Sequence, residues 1–351
     1  MKAQEVELQA ALITKLLMNR KQFILSSMST SIVTLLPDRA SSAESGQKAE
    51  PSGRQSIPRK AIIPAALISI DKDGKIDYHD FKRHISSLAD VAGVSAIMVN
   101  GGSGLDKTLT REERQKLLGV ALEAVDNKVP ILAAVRESST IPKLAPLAKD
   151  AQREGAQAMT IMPPADEQGF SWDSAQSRFE EACAASNLPV VIYQTRYETE
   201  GLVRLAETFP VVGVKEGSKD PSTFESNLRA LRDLKLNIAV WSTHSKWLLA
   251  DLAIGADGIL SGMGSITADL HVALAEAVHH SDLKAARKIN DQIFPLTRVF
   301  YRSGQNPHVR MMYALRKLGL QKHGFVRPPY QPLDASERSK IDQALARSGF
   351  L

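Results

Sequence analysis

Residues 211–217 read Val-Val-Gly-Val-Lys-Glu-Gly, and this stretch decides the fold. The apolar residues stand on consecutive positions instead of alternating with polar ones. That pattern belongs to a parallel strand covered on both faces. Lys215 breaks the run. An ammonium group almost never enters an apolar core unpaired, because it loses water and tends to give up its proton. Either the strand ends there and Lys215 reaches solvent, or its burial is used.

Working outward, seven further runs of the same kind flank this one: AIIPAALI from Ala61, SAIMVNG from Ser95, VPILAAV from Val129, AQAMTIMPP from Ala156, LPVVIYQT from Leu188, NIAVWST from Asn237 and ADGILSG from Ala256. Between them lie segments with helical spacing. In TREERQKLLGVALEAVDNK, Thr110 stands three residues before Glu113, the arrangement of a capping box. Eight strand–helix units predict an α/β protein, a (β/α)8 TIM barrel, over residues 60–281. An open doubly wound sheet is the structural alternative, but no Gly-x-Gly-x-x-Gly turn follows the first run. After Asp282 only helical patterns remain, so residues 282–351 are read as a C-terminal helical subdomain.

The first sixty residues differ in character. Arg20 and Lys21 precede an apolar stretch from Phe23 to Leu36, and Ser41 and Ala43 occupy the positions of a cleavage site, the layout of an export signal over residues 1–43. Met18 makes a better start for such a signal than Met1. The competing reading is an N-terminal extension of a cytoplasmic protein. Residues 44–59, ESGQKAEPSGRQSIPR, have the polar, Pro/Gly/Ser-rich composition of a linker. Export predicts a periplasmic mature protein with no membrane span. The net charge of +5 is spread over 44 basic and 39 acidic residues without a basic run, which argues against nucleic-acid binding. Cys183 is the sole cysteine, so neither an intrachain disulfide nor a cysteine metal cluster can form.

In a barrel enzyme the reacting groups lie at the carboxyl ends of the strands. Lys215 is then a candidate amine nucleophile, with an ion-paired strand-end lysine as the alternative. Gly102, Ser103 and Gly104 follow the second run, where exposed amides and a hydroxyl can hold a carboxylate; a flexible turn is the plain reading. His244 ends the seventh run; it is a candidate proton carrier, with a helix-capping or hydrogen-bonding histidine as the plainer reading. The fifth run ends in YQTRYE, offering Tyr193, Arg196, Tyr197 and Glu198. Arg196 can clamp a carboxylate or form a surface ion pair. No spacing of His, Asp or Glu points to a metal.

From about Lys60 to Leu333 the chain resembles the dihydrodipicolinate synthase and N-acetylneuraminate lyase family of Schiff-base aldolases. The resemblance rests on IIPAALISIDKDGKID, GGSG with LTREER, GVKEGSKD, GADGILSG and QNPHVRMMYALRKLGL, in that order. It implies a homo-oligomer, a tetramer or dimer, and no cofactor beyond a lysine imine. It matches Lys215 to the lysine that joins pyruvate or another 2-oxo acid, and Ser103 to one of two hydroxyl residues at the substrate carboxylate, the other being Gly102 here. Ser261 and Gly262 join Gly102, Ser103, Gly104 and Arg196 as expected substrate contacts. Leu105 replaces a glutamate of the synthase, Ala165 a proton-relaying tyrosine, and Glu198 an arginine. His244 or Tyr197 is expected to supply the relay in a lyase or dehydratase of altered specificity. The alternative is a binding barrel for a 2-oxo or sugar acid that keeps the lysine without turnover.

Overall fold

The computed structural model describes residues 56–138, 141–164, 171–218, 220–304 and 306–351. The expected export signal, most of the expected linker and Ala165 lie outside the described residues.

All eight apolar runs form strands: β1 (Ile62–Pro64), β2 (Ile97–Val99), β3 (Ile131–Val135), β4 (Ala158–Ile161), β5 (Val190–Gln194), β6 (Val211–Glu216), β7 (Ala239–Ser242) and β8 (Gly258–Ser261). Every pairing is parallel, in the order β1-β8-β7-β6-β5-β4-β3-β2. Single bridges from Ile62 to Val94 and from Ala65 to Met98 draw the two ends of this sheet together. The result is the expected (β/α)8 TIM barrel. Helices α1 (Tyr78–Ala89), α2 (Arg111–Val125), α3 (Ala145–Glu154), α4 (Trp172–Ala185), α5 (Thr199–Thr208), α6 (Pro221–Asp233), α7 (Leu248–Ile254) and α8 (Gly264–His279) follow the strands in turn. Thr110 caps α2 as its spacing predicts, accepting from the Glu113 amide while the Glu113 carboxylate returns to the Thr110 amide.

Two apolar cores result from the period-two geometry of the strands. Ala61, Ile63 and Ala65 of the first strand region, Met98, Leu132, Ala134, Ala158, Met162, Val191, Ala239, Trp241 and Leu260 fill the barrel interior. The intervening strand residues pack outward against the helices. At the start of β1, Trp241 Nε1 donates to the Arg59 carbonyl at 2.9 Å, and Arg59 pairs with Asp257 at 2.9 Å.

Helices α9 (Leu283–Phe300), α10 (Pro307–Lys317) and α11 (Ala335–Arg347) form the C-terminal helical part. Arg310, fully buried, fastens it: its guanidinium reaches Glu337 at 2.8 Å and the carbonyls of Phe300, Arg302 and Ser303 at 3.0, 2.7 and 3.1 Å. The tail then returns to the barrel through Gln321 Nε2 to the Leu67 carbonyl at 3.2 Å and Arg327 to Glu113 at 2.7 Å. These ties hold the start of α10 beside the carboxyl ends of the strands.

Candidate active site

Strand parity sorts the site residues. Inward positions on β6 are Gly213 and Lys215, because Val214 belongs to the outer core. Lys215 is paired in register with Tyr193 on β5 and Trp241 on β7, both inward. A methyl group on Gly213 would lie 2.3 Å from the Trp241 ring, so glycine is what lets the indole fill the space beneath the lysine. The amine itself stands 4.2 Å from the centroid of the Tyr193 ring, and the residue is 4% exposed. Burial pushes its pKa down to about 7; the Arg136 charge adds to the depression and Asp106 opposes it. An amine so placed is neutral for much of the time near pH 7 and can add to a carbonyl. Burial pushes the Tyr193 phenol up to about 12, so it keeps its proton.

The glycines after β2 form a tight turn. Gly102–Gly104 is a single 3-10 turn closed by Gly104 N to Gly101 O at 2.9 Å and Leu105 N to Gly102 O at 3.1 Å. The turn therefore does not use the amides of Gly102 and Ser103. Around it converge the end of β8 and the start of α10. A methyl on Gly262 would stand 2.4 Å from Ser103 Oγ and 3.4 Å from His308 Nε2; one on Gly102 would stand 3.6 Å from His308 Cε1. The imidazole thus occupies room that a larger residue at Gly102 would share. Burial, together with repulsion from Lys215 and Arg136, pushes His308 down to about 3, so it is neutral in the ordinary pH range. Its Nδ1 has no hydrogen-bond partner among the described residues.

Arg136 follows β3 and continues the inward parity of Leu132 and Ala134. Its Nε lies 2.8 Å from Asp106 Oδ2, with the two side chains 11% and 2% exposed. Tyr330, from the returning tail, lies in the field of the same pair and is raised chiefly by burial.

The other expected residues group differently. His244 lies beyond β7 with the outward parity of Val240 and Ser242. Its Nδ1 is 3.3 Å from Asp251 on α7, and its ring meets Phe224 on α6 and Trp247 at centroid distances of 6.1 and 5.3 Å. Glu216, also outward, is raised chiefly by burial and is held by Ser218 and Asn227. The structure therefore joins His244 to the strand–helix layer, not to Lys215. Gln194 turns the chain after β5 by holding both the amide and the carbonyl of Tyr197, at 2.9 and 2.7 Å. The Tyr197 ring then packs edge-on against Phe179 of α4 at 6.5 Å. Arg196 is half-buried in that turn, its amide 3.2 Å from Gln194, and Glu198 is exposed at the start of α5. Ser261 Oγ is 2.9 Å from Ser245 Oγ, which in turn is 2.9 Å from the hydroxyl of Tyr301, the residue that ends α9; this hydroxyl chain ties β8 to the helical part. Among the described residues no three His, Cys, Asp or Glu side chains are grouped to hold a metal ion.

Sequence reasoning reached Lys215, Gly102, Ser103 and Gly262 and set Tyr193 among the strand-end candidates. It missed Arg136, Asp106 and His308. Arg136 is placed by parity only once the structure shows that Leu132 and Ala134 face inward, and nothing local marks His308.

Residues 58–348 match the Dihydrodipicolinate synthetase family. The 4-hydroxy-tetrahydrodipicolinate synthases of Moorella thermoacetica and Salinibacter ruber are 27% and 29% identical to the chain, covering 83% and 81% of it and 98% and 93% of their own lengths. The solved structure of the dihydrodipicolinate synthase from Bacillus anthracis superposes with a TM-score of 0.75 at 25% identity, over 83% of this chain and 99% of that one.

Proposed function

Because the chain belongs to the dihydrodipicolinate synthetase family, we propose that it is a class I aldolase-type lyase or dehydratase that joins Lys215 to the C2 carbonyl of pyruvate or another 2-oxo acid. The burial of Lys215 carries this reading: 4% exposed, pushed down to about 7 and set against a phenol.

The neutral Nζ of Lys215 attacks C2, and one of its two protons passes to the carbonyl oxygen, which becomes a hydroxyl. Loss of that hydroxyl as water, with a second proton, leaves the protonated imine. Tyr193, kept protonated by burial and with its ring 4.2 Å from the amine, donates that proton in this proposal. The imine draws electrons from C3, so a C3 proton or the C3–C4 bond can be lost to give the enamine. Proton return and water attack on C2 then release the product and restore the amine. Ser103 Oγ and the amides of Gly102 and Ser103 hold the C1 carboxylate. The chemistry needs no cofactor beyond the imine. In the same proposal the mature chain is exported and homo-oligomeric, which N-terminal sequencing of periplasmic material and light scattering test.

The deciding experiment is borohydride reduction of the protein with pyruvate, read by intact mass and peptide mapping. A stable adduct on Lys215, lost in Lys215→Ala, is expected. Folded protein that takes no adduct from any 2-oxo acid refutes the mechanism and leaves a binding barrel.

A further inference from the structure

The Arg136–Asp106 pair calls for an explanation other than stability. Two charges buried at 11% and 2% exposure lose most of their hydration. An apolar pair of the same volume would serve a barrel at least as well. Asp106 is built in firmly: it lies in the turn Asp106–Thr108, and its carbonyl accepts from Arg114 Nη2 at 2.6 Å. Its carboxylate comes nearest to Arg136 at Nε, an ion-pair contact without an aligned hydrogen bond. The arginine is thus held beside Asp106 by charge, faces the interior by parity, and keeps its hydrogen-bond donors for a ligand at the mouth that holds Lys215.

The turn at Gly102–Gly104 already offers two amides and the Ser103 hydroxyl for one carboxylate. Arg136, just past the next strand, adds a guanidinium to these donors. We infer that Arg136, anchored by Asp106, receives a second acid group of the substrate, so that the preferred ligands are 2-oxo acids bearing a second carboxylate away from the reacting carbonyl. This inference rests on the Schiff-base reading above. A planar guanidinium with two open donors suits a carboxylate, which accepts two parallel hydrogen bonds.

The test compares 2-oxopentanoate with 2-oxopentanedioate, which differ only in that the second ends in a carboxylate. The readout is the concentration that half-saturates borohydride labelling of Lys215. In the unaltered protein the diacid should need about one tenth of the monoacid concentration or less, the size of a charge-assisted bidentate contact. In Arg136→Gln the two acids should converge, and Arg136→Lys should keep part of the difference. The double variant Arg136→Gln/Asp106→Asn, which strands no carboxylate, should behave as Arg136→Gln does. Taking the ratio of two acids on one protein cancels the change in Lys215 itself, which loses the repulsion of Arg136 in these variants. Equal half-saturation by both acids in the unaltered protein overturns the inference. So does an equal weakening of both in Arg136→Gln, which would assign the arginine to the C1 carboxylate. Either result leaves Lys215 labelled and the Schiff-base reading intact, whereas no label from either acid overturns both.

Discussion

A lysine that leaves its ordinary pKa of 10.5 for about 7 on burial makes stability depend on pH in a direction that can be worked out. Between these two values the unfolded chain binds the proton that the folded chain does not. Stability contributed by this residue therefore rises with pH across the window, by about 1.4 kcal/mol for each pH unit, and below about pH 7 the cost of burying the charge is complete. Lys215→Met should be more stable than the parent at pH 6, with the advantage shrinking as pH approaches 10; urea denaturation at several pH values measures it. An advantage that stays constant with pH would contradict the assignment. The labelling rate should rise through an apparent pKa near 7, and that midpoint should move upward in Arg136→Gln, because the arginine helps to hold it down. At this scale the sequence exposed what interrupts a pattern. Lys215 breaks an apolar run and Gly102–Gly104 crowds glycines together, so both were legible. Tyr193 and His244 were not separable, since strands buried on both faces show no alternation to tell inward from outward. Arg136 and His308 meet near Lys215 from distant parts of the chain, and no local signal joins them.

Elements carry their own consequences. The Trp241 indole lies where a side chain at Gly213 would be, with only 2.3 Å for a methyl group. Gly213→Ala should cost about 1–3 kcal/mol from overpacking in thermal or denaturant unfolding. A neutral substitution would show that the indole moves aside freely. Eight consecutive-apolar runs were enough to read the strands, because burial on both faces demands that composition. The strands themselves are shorter than the runs: Leu67, three residues past β1, lies in no strand, yet it is fully buried. Composition reports burial, and pairing ends earlier. The α2 cap was legible for a different reason, since Thr110 and Glu113 meet across a single turn and need no distant partner.

For the molecule as a whole, the helical part does more than close the chain. His308 stands at the site because Arg310, two residues on, is locked to Glu337, to the last carbonyl of α9 and to two carbonyls beyond it. Arg310→Ala takes from Glu337 one of its two cations, Arg302 remaining at 3.1 Å, and takes the guanidinium donors from those carbonyls. It should cost about 1–3 kcal/mol, the size of buried polar groups losing their partner, and should weaken labelling of Lys215 more than an equally destabilising change on the far side of α2. Equal effects from both would mean that the helical part does not shape the site. The seam of the barrel has a further meaning for a chain made from one end. β1 pairs with β8, and Arg59 meets Asp257 across 198 residues of sequence. While the ribosome is still adding those residues, β1 has no partner along one edge, and its apolar groups wait uncovered. The protein cannot complete its ring until the eighth strand emerges, nor its reaction centre until His308 follows. Its birth is therefore a long exposure ended by a late closure, and that interval is where a holdase chaperone would matter most.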